Sequence, residues 1–311
     1  MMGMFDKRKE PVFLKESGVA KEQLAALQQL RGQASGEVQK RIDQEIKIVE
    51  AGIYGEEQII FELKNSHMPM AVLHDLYLEV EGFTAQIDFL IVTRGKIFVV
   101  ECKNLIGNIE IDNAGNFTRI LSNGKFYRRE GIYSPITQNQ RHMEVMKRFI
   151  VDARKNVLVR KISEHVFEDS YCSIVVLANP KTVLNAKYAK KEVKNQVIRA
   201  DQLVNFIKKV NDGIVLSSEK QMMDTAEIWM KRGKKSPVDY LQKYREELEE
   251  EQKGEKQEQE RQKAADEEQR ILCPKCNAVM IKRVASKGAN AGKEFYGCSR
   301  FPKCKGIVNI E

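Results

Sequence analysis

Hydrophobic residues in the first part of the chain recur three or four positions apart. Residues 17–50 follow this helical spacing, and the glycines that bound 32–36 predict a break between two helices. The same spacing predicts a further helix at about 54–63. The N-terminal part of the chain is therefore predicted to be helical.

From residue 71 onwards the helical spacing gives way to apolar runs rich in Val, Ile, Leu and Phe, which are typical of β-strands. Strands are predicted at 71–80, 85–93 and 96–104, and shorter ones at 108–112 and 116–121.

A helix and a second group of strands follow. Pro135 suits a first helical turn and opens a predicted helix at 135–151. The near-continuous apolar run 171–179 is typical of a central strand covered on both faces. A strand near 196–199 leads into a helix that Asp201 is expected to cap. This order of elements predicts a mixed α/β sandwich.

Hydrophobic residues become scarce after about residue 236. Residues 241–270 hold 7 Lys/Arg and 11 Asp/Glu, and almost nothing apolar lies between Leu248 and Ile271, so this stretch cannot supply a core. A solvated helix, a weak coiled coil and a disordered tether all fit this pattern. The abundance of Glu, Gln, Lys and Ala favours a helical linker.

Composition and charge narrow the class of protein. The 311 residues include 42% hydrophobic and 31% charged residues, which suits a globular core plus a charged segment. The net charge of +8 favours polyanionic partners, because each cation that neutralises a phosphate releases a counterion. The chain has no apolar stretch long enough to cross a membrane and no secretory signal at its start. Four of its six cysteines have a metal-like spacing, and Cys102 and Cys172 are predicted to be buried thiols, so we expect a reducing cytoplasm.

Two carboxylates and one ammonium group are predicted to meet in the sheet. Asp88 interrupts the strand at 85–93, and Glu101 and Lys103 lie two positions apart at 96–104, so their side chains leave one face. Mg²⁺ prefers such oxygen ligands and activates a bound water for attack on a phosphodiester. The alternative is a solvated strand face with an exposed ion pair. Because charge is costly to bury in strands that are otherwise apolar, the cation site is favoured.

These residues resemble the Asp…Glu-x-Lys core of the PD-(D/E)XK (restriction-endonuclease-like) superfamily. The surrounding motifs are similar to one branch of it, the nuclease-related domain called NERD, and cover about residues 45–160. They occur in this order: Gly52-Ile-Tyr-Gly55-Glu56 opening a helix, a Gln86-Ile87-Asp88 strand, an apolar strand ending in Glu101-Cys102-Lys103, and Pro135-Ile-Thr-Gln138 at a helix start.

The resemblance implies a restriction-endonuclease-like fold and a nuclease. Asp88 and Glu101 would hold Mg²⁺ or Mn²⁺, and Lys103 would assist the attacking water. Glu56 would add a carboxylate from its helix, and Gln138 would orient groups in the site. Taken alone, Glu56 also fits a helix-start acid favoured by the dipole, and Gln138 an exposed first-turn residue. The histidines show no ligand pairing and are interpreted as surface or structural residues: His67, His74, His142 and His165.

Four of the six cysteines lie in the last 39 residues at a spacing typical of a metal site. Cys273-Pro-Lys-Cys276 is followed by Cys298 and Cys304, and two such thiolate pairs can close a tetrahedral Zn²⁺ site. So small a module, with few apolar side chains, could hardly fold without metal. The alternatives are a redox dithiol and an unfolded tail.

The cysteine segment resembles the four-cysteine zinc finger at the C-terminus of bacterial type IA topoisomerases, a family that binds DNA, often single strands. The matching residues are Cys-Pro-x-Cys and Glu294-Phe-Tyr-Gly-Cys298-Ser-Arg-Phe-Pro-x-Cys304. Aromatic and basic side chains provide stacking faces and phosphate contacts, and one of Phe295 and Tyr296 is expected in the ribbon's own core. The predicted nucleic-acid contacts are Phe295, Tyr296, Arg300, Phe301, Lys303 and Lys305.

The sequence predicts four parts: an N-terminal helical segment at 1–44, a nuclease-related domain at 45–210, a charged helical linker at 211–270 and a zinc ribbon at 271–311. The predicted function is a metal-dependent nuclease, a hydrolase acting on DNA, with a ribbon that binds DNA. The alternative is a non-catalytic DNA-binding or DNA-end-sensing protein that keeps the fold. A protein-interaction adaptor would explain neither the acidic set nor the basic ribbon. The intact acidic set with its lysine favours the nuclease.

Overall fold

The computed structural model describes residues 9–122, 124–152, 154–268, 270–287 and 289–310. The chain forms two compact units, Met1–Gln242 and Lys243–Glu311. The helices of the first unit are α1 Val19–Arg31, α2 Gly36–Lys64, α3 Pro135–Val151, α4 Val157–Ser170, α5 Lys191–Lys194, α6 Leu203–Val210 and α7 Glu219–Arg232. Its strands are β1 Val12–Lys15, β2 Ala71–Val80, β3 Phe83–Val92, β4 Ile97–Lys103, β5 Asn108–Ile111, β6 Phe117–Ser122, β7 Tyr127–Ile132, β8 Tyr171–Leu177, β9 Leu184–Asn185 and β10 Val197–Arg199.

A six-stranded mixed sheet is the centre of the first unit, with the strand order β1-β2-β3-β4-β8-β10. Strands β2, β3 and β4 pair antiparallel, whereas β1, β8 and β10 join through parallel pairings. The helices α3 and α4 lie in the crossover between the parallel strands β4 and β8. A smaller sheet has the order β7-β6-β5-β9. The predicted mixed α/β fold is confirmed.

Apolar side chains cover both faces of the six-stranded sheet. On one face, α3 and α7 contribute Met146 and Trp229 to a core with strand residues such as Leu90. On the other face, α2 and α6 contribute Ile59 and Leu203. Each such buried side chain contributes roughly 1.5–3 kcal/mol relative to an exposed one. The helices on the two faces therefore hold the ends of the strands in place, and polar residues interrupt the apolar cores at these ends.

One buried amide fixes α3 above the sheet. Asn139 is fully buried, and its Nδ2 donates to the carbonyl oxygens of Val99 at 2.8 Å and Ile174 at 3.2 Å, and to Ser173 Oγ at 2.9 Å. These acceptors lie on β4 and β8, so the helix is tied to both strands at once. Breaking such buried bonds leaves unsatisfied polar groups that cost about 1–3 kcal/mol each.

The N-terminal helices differ from the prediction. The break at 32–36 is present, but α2 then runs without interruption from Gly36 to Lys64. The segment from Gly52 to Glu56 therefore lies inside a helix and does not open one. A single buried face accounts for the continuity, since it runs along the whole helix through Val38, Ile42, Ile46, Gly55, Ile59 and Leu63.

The predicted cap at Asp201 is also wrong. Asp201 lies inside a 3-10 turn, Ala200–Gln202, and Gln202 is the residue that precedes α6. The Asp201 carboxylate instead pairs with the Arg199 guanidinium at 3.1 Å. The turn occupies the position at which the helix was expected to begin.

The sequence pattern did not predict β1, β7, α4 or α7. Helix α7 lies in the segment assigned to the charged linker, yet its Met222, Ala226 and Trp229 are buried in the core of the first unit. The first compact unit extends through Gln242. The limits of the four predicted parts stay predictions.

The second unit holds most of helix α8, Gln242–Glu268, and a three-stranded antiparallel sheet. The strands are β11 Met280–Val284, β12 Glu294–Cys298 and β13 Ile307–Asn309. Its small core contains Cys273, Met280 and Cys298. In the described parts of the chain, no helix has both the length and the apolar character needed to cross a membrane.

Candidate active site and zinc ribbon

Asp88 lies where the pairing of β2 with β3 is interrupted. The ladder is formed on both sides of this point, but Asp75 and Asp88 are not paired in it. Asp75 has a φ of 59°, in the left-handed region that Asp tolerates better than most residues. Leu73 and Leu76 pack in the same core cluster although they are three positions apart. The side-chain alternation of β2 therefore shifts by one here, next to Asp88.

The antiparallel ladder of β3 with β4 brings the two predicted metal ligands opposite each other. Phe89 pairs with Val100, so Asp88 and Glu101 follow at the end of this ladder. The backbone N–H of Cys102 donates to Asp88 Oδ2 at 2.6 Å. This bond holds the Asp88 carboxyl against β4.

Glu101 is buried with an incomplete set of partners. Its side chain is only 2% exposed, and Oε1 lies 2.6 Å from Lys103 Nζ. Oε2 is buried and accepts no hydrogen bond from any described residue. His142 Nδ1 lies 3.5 Å from Oε2, and it too is buried and makes no hydrogen bond to any described residue. An unpaired carboxylate oxygen in such a place favours binding of a cation or a proton.

The carboxyl groups are destabilised in their charged forms. Burial, and then repulsion from Glu101, raise the pKa of Asp88 well above its usual range. Burial also raises the pKa of Glu101, although Lys103 opposes that change. Burial, and then the Lys103 charge, lower the pKa of His142 to about 4, so this imidazole is neutral at pH 7 and offers no positive charge. A bound cation would relieve the repulsion between the two carboxylates.

Glu56 reaches the site from α2, where His74 holds it. Glu56 Oε2 lies 3.0 Å from His74 Nε2, while His74 Nδ1 accepts the backbone N–H of Ser17 at 3.3 Å. Because Nδ1 is an acceptor, the neutral imidazole carries its proton on Nε2 and donates it to Glu56. The His74 ring stacks on Phe89 at a centroid distance of 4.7 Å. The charge of Glu56 contributes to the raised pKa of Asp88.

Gly55 allows α2 to approach the end of β4 closely. A β-carbon at this position would lie 2.7 Å from Asn104 Cβ and 3.3 Å from Cys102 Sγ. Asn104 Nδ2 in turn donates to the carbonyl oxygen of Ala51 at 2.6 Å. The glycine of the predicted motif is thus required for packing, and this packing brings Glu56 to the acidic site.

Gln138 forms no hydrogen bond with these groups. It is half-buried on α3, and its side chain makes no hydrogen bond to any described residue. His142 follows it by one helical turn and lies beside Glu101.

Sequence reasoning missed the proximity of His74 and His142 to the acidic residues. The available signal in the sequence was the spacing of four residues between Gln138 and His142, which places both side chains on the same face of a helix. His67 and His165 are exposed, as interpreted.

The donor set suits a hard divalent cation. Asp88, Glu101 and Glu56 offer oxygen ligands, and the buried Oε2 of Glu101 lacks a partner in the described chain. Among the described residues, the four cysteines form the group whose ligand atoms lie close enough together to hold a metal ion. The oxygen atoms of the three carboxylates do not lie as close to one another.

A cavity of about 810 Å³ opens on this site. Glu56, His74 and Asp88 line it from the sheet and α2. Residues 15–20 form one further wall, and 233–240 contribute to another. Glu56 and Asp88 are therefore accessible from a concave surface of the first unit.

The four cysteines of the second unit converge on one point. Cys273 Sγ lies 3.7 Å from Cys304 Sγ, and Cys276 Sγ lies 3.4 Å from Cys298 Sγ. All four sulfurs lie within 4.8 Å of one another. A zinc ion with four bonds of about 2.3 Å requires sulfurs about 3.8 Å apart, so the cluster fits a structural zinc.

The predicted nucleic-acid contacts of the ribbon divide into two groups. Tyr296 packs against the cysteine core, which agrees with the expectation that one of the two adjacent aromatics is structural. Phe295 is half-buried and lines a separate cavity with Arg283 and Lys293. Phe301 is 57% exposed. The remaining predicted contacts are exposed: Arg300, Lys303 and Lys305.

Two family models match the chain. Residues 51–178 match the nuclease-related domain, NERD, and residues 270–311 match the topoisomerase DNA-binding C4 zinc finger. No curated protein and no solved structure gives a significant match. Both resemblances drawn from the sequence motifs are confirmed.

Proposed function

We propose that this chain, which carries a nuclease-related domain and a topoisomerase-type C4 zinc finger, is a metal-dependent nuclease that hydrolyses phosphodiester bonds in DNA. The observation that carries the proposal is the pair of opposed carboxyl groups, Asp88 and Glu101, beside Lys103. The buried, unpartnered Glu101 Oε2 supports a cation at this place. A reducing cytoplasm, where the four thiols stay available for zinc, is the proposed location.

Asp88 and Glu101 would hold Mg²⁺ or Mn²⁺, which when bound polarises the scissile phosphate and lowers the pKa of a water ligand. The Lys103 side chain is 27% exposed next to Glu101, and its Nζ can donate to a phosphate oxygen or orient the attacking water. Glu56, held by His74 Nε2, lines the cavity with Asp88 and can accept the proton that the water loses. Gln138 is proposed to orient the substrate once it is bound.

The zinc ribbon is proposed to bind the DNA. Residues 271–311 carry 8 Lys/Arg against 2 Asp/Glu, so this segment attracts phosphates. The exposed ring of Phe301 lies 5.7 Å from the Arg283 guanidinium and offers a face on which a base can stack. Arg300 and Lys303 lie beside Cys276 and Cys304, where they can contact the phosphates of the DNA backbone.

Cleavage of labelled DNA by the full chain tests the nuclease. We expect cleavage with Mg²⁺ or Mn²⁺ but not when the divalent cation is omitted, a control that leaves the zinc in place. Asp88→Asn and Glu101→Gln should each abolish activity, because these variants keep the shape and lose the charge. Glu227→Gln is the matched control, since Glu227 is an exposed acid on α7 that pairs with Lys231 one helical turn away.

The alternative is a non-catalytic DNA-binding or DNA-end-sensing protein. The ion pair of Lys103 with Glu101 favours it, because this pair neutralises one carboxylate without any cation. Under this alternative no metal-dependent cleavage occurs, and salt-sensitive DNA binding survives both carboxylate substitutions but is lost when the zinc ribbon is disrupted.

A further inference from the structure

The walls of the cavity at the acidic site are fixed. Lys15 Nζ donates to the carbonyl oxygen of His74 at 3.2 Å and to that of Asp75. Ser17 adds two bonds, from its backbone N–H to His74 Nδ1 and from Oγ to Asp75 Oδ2. The wall formed by 15–20 is therefore fastened to β2 by side chains and backbone together.

The opposite wall is fastened to the same strand. The backbone N–H of Lys234 donates to the carbonyl oxygen of Tyr77 at 2.9 Å, within an antiparallel bridge of these two residues. Gly233 allows this approach, because a β-carbon there would lie 2.7 Å from Leu76 Cδ1. Both walls are therefore tied to β2, the first through Lys15 and Ser17 and the second through Lys234.

The size of the cavity selects the form of DNA. The cavity volume of about 810 Å³ lies in the range of about 300–1,000 Å³ that holds one small-molecule-sized ligand, which suits one or two nucleotides and not a duplex segment. A single strand with one or two unpaired nucleotides is far narrower than a duplex. A base that enters such a cavity must leave its stack and be unpaired, which a single strand allows and an intact duplex resists.

The segment 233–240 supplies the chemistry that recognises such a strand. Tyr240 lines the cavity with half of its surface exposed, and base stacking on an aromatic ring tolerates any sequence. Lys235 also lines the cavity and forms no ion pair within the described residues, so it is available to a phosphate. Four carboxylates share the lining with three lysines, so a bound divalent cation would favour the entry of a phosphate.

We propose that this cavity is a binding site for single-stranded DNA, in which Tyr240 stacks on a base and Lys235 contacts a phosphate of the DNA backbone. An intact duplex is excluded from it. The proposal rests on the proposed nuclease function and specifies its substrate: a single strand, a strand end or an unpaired segment.

The first experiment compares substrates with the full-length protein. Cleavage of a linear single-stranded oligonucleotide is measured beside cleavage of a relaxed, covalently closed circular duplex, which offers neither ends nor stable unpaired segments. We expect cleavage of the single strand and none of the closed duplex. Tyr240→Ala should lower kcat/KM on the single strand about 5-fold to 150-fold, because one stacked base is lost. Tyr188→Ala is the control, since Tyr188 is exposed and does not line the cavity.

The second experiment needs no catalytic activity and separates the cavity from the zinc ribbon. The oligonucleotide is cross-linked to the full-length protein by ultraviolet light in the presence of Ca²⁺, and the attachment sites are mapped by mass spectrometry. Cross-links at Tyr240 or Tyr77 support the proposal. Cross-links confined to the ribbon, or closed duplex cut as fast as the single strand, would overturn it. If no DNA is cut at all, the nuclease proposal fails, and the cross-link map alone decides whether the cavity binds a strand.

Discussion

Two buried carboxyl groups dominate the chemistry of individual residues in this protein. Asp88 and Glu101 face each other at the end of a ladder, and burial raises the pKa of both. A carboxyl group whose pKa is raised on folding lowers the stability of the fold as the pH rises above its unfolded-state pKa, and this loss is complete above the folded-state pKa. The acidic site therefore destabilises the fold at neutral pH when no cation is bound.

Asp88→Asn is expected to stabilise the cation-free protein. The amide keeps an acceptor for the Cys102 N–H and removes the repulsion with Glu101. At pH 7–8 the melting temperature should rise by about 2–4 °C for each kcal/mol of repulsion relieved. The gain in melting temperature should shrink as the pH is lowered toward the ordinary pKa of an aspartate. It should become a loss when Mg²⁺ is added. A variant less stable than the wild type at every pH would contradict this account.

His142 is expected to produce the opposite pH dependence. Its pKa falls from 6.5 to about 4 on folding, so the unfolded chain takes up the proton first as the pH is lowered. Stability is then lost between about pH 6.5 and 4, by up to roughly 3 kcal/mol. His142→Leu should remove this loss, as measured by urea unfolding across that range. His165→Leu changes an exposed residue, so its plot of unfolding free energy against pH should run parallel to that of the wild type.

At the scale of elements, close packing of α2 against β4 assembles the site. The spacing of apolar residues predicted helix in this region and the apolar runs predicted the strands, because both patterns are local. The same reasoning missed that α2 is one helix, since its buried face is defined by the sheet that it contacts. It also missed α7, whose few apolar residues meet a core built by distant strands.

Gly55→Ala tests this packing. The new β-carbon would collide with Asn104 Cβ, a short side chain held by its bond to Ala51, so α2 must shift. We expect a loss of about 1–3 kcal/mol in unfolding free energy and a fall in nuclease activity, because Glu56 moves with the helix. Gly52→Ala is the matched control on the same helix, with open space at its β-carbon. It should be neutral or more stable by up to about 1 kcal/mol. Equal effects of the two substitutions would show that helix propensity, not close approach, governs this region.

At the scale of the whole molecule, the two compact units obtain their stability from different sources. The first unit has cores on both faces of a six-stranded sheet. The core of the ribbon contains few apolar side chains besides the cysteines themselves. Metal binding therefore supplies much of the folding free energy of the ribbon.

Loss of one zinc ligand should affect only the ribbon. We expect Cys298→Ser to lower the zinc content of the purified chain and to abolish salt-sensitive DNA binding by the ribbon. The calorimetric transition of the first unit should keep its midpoint. Cys172→Ser provides the control, because Cys172 lies on β8, outside the cysteine cluster. A shift of the main transition in Cys298→Ser alone would contradict separate stabilisation.

The sequence by itself determined the strands β2 to β6, β8 and β10, the placement of Asp88, Glu101 and Lys103 on neighbouring strands, and the four-cysteine zinc ribbon. These features depend on local periodicity and on the spacing of residue types, which can be read along the chain. Only the tertiary structure decided which other groups surround the acids. His74 meets Glu56 from 18 positions away and Ser17 from 57, and the cavity walls come from segments at opposite ends of the first unit. Such contacts follow from packing of distant elements on a common sheet, and no local pattern encodes them.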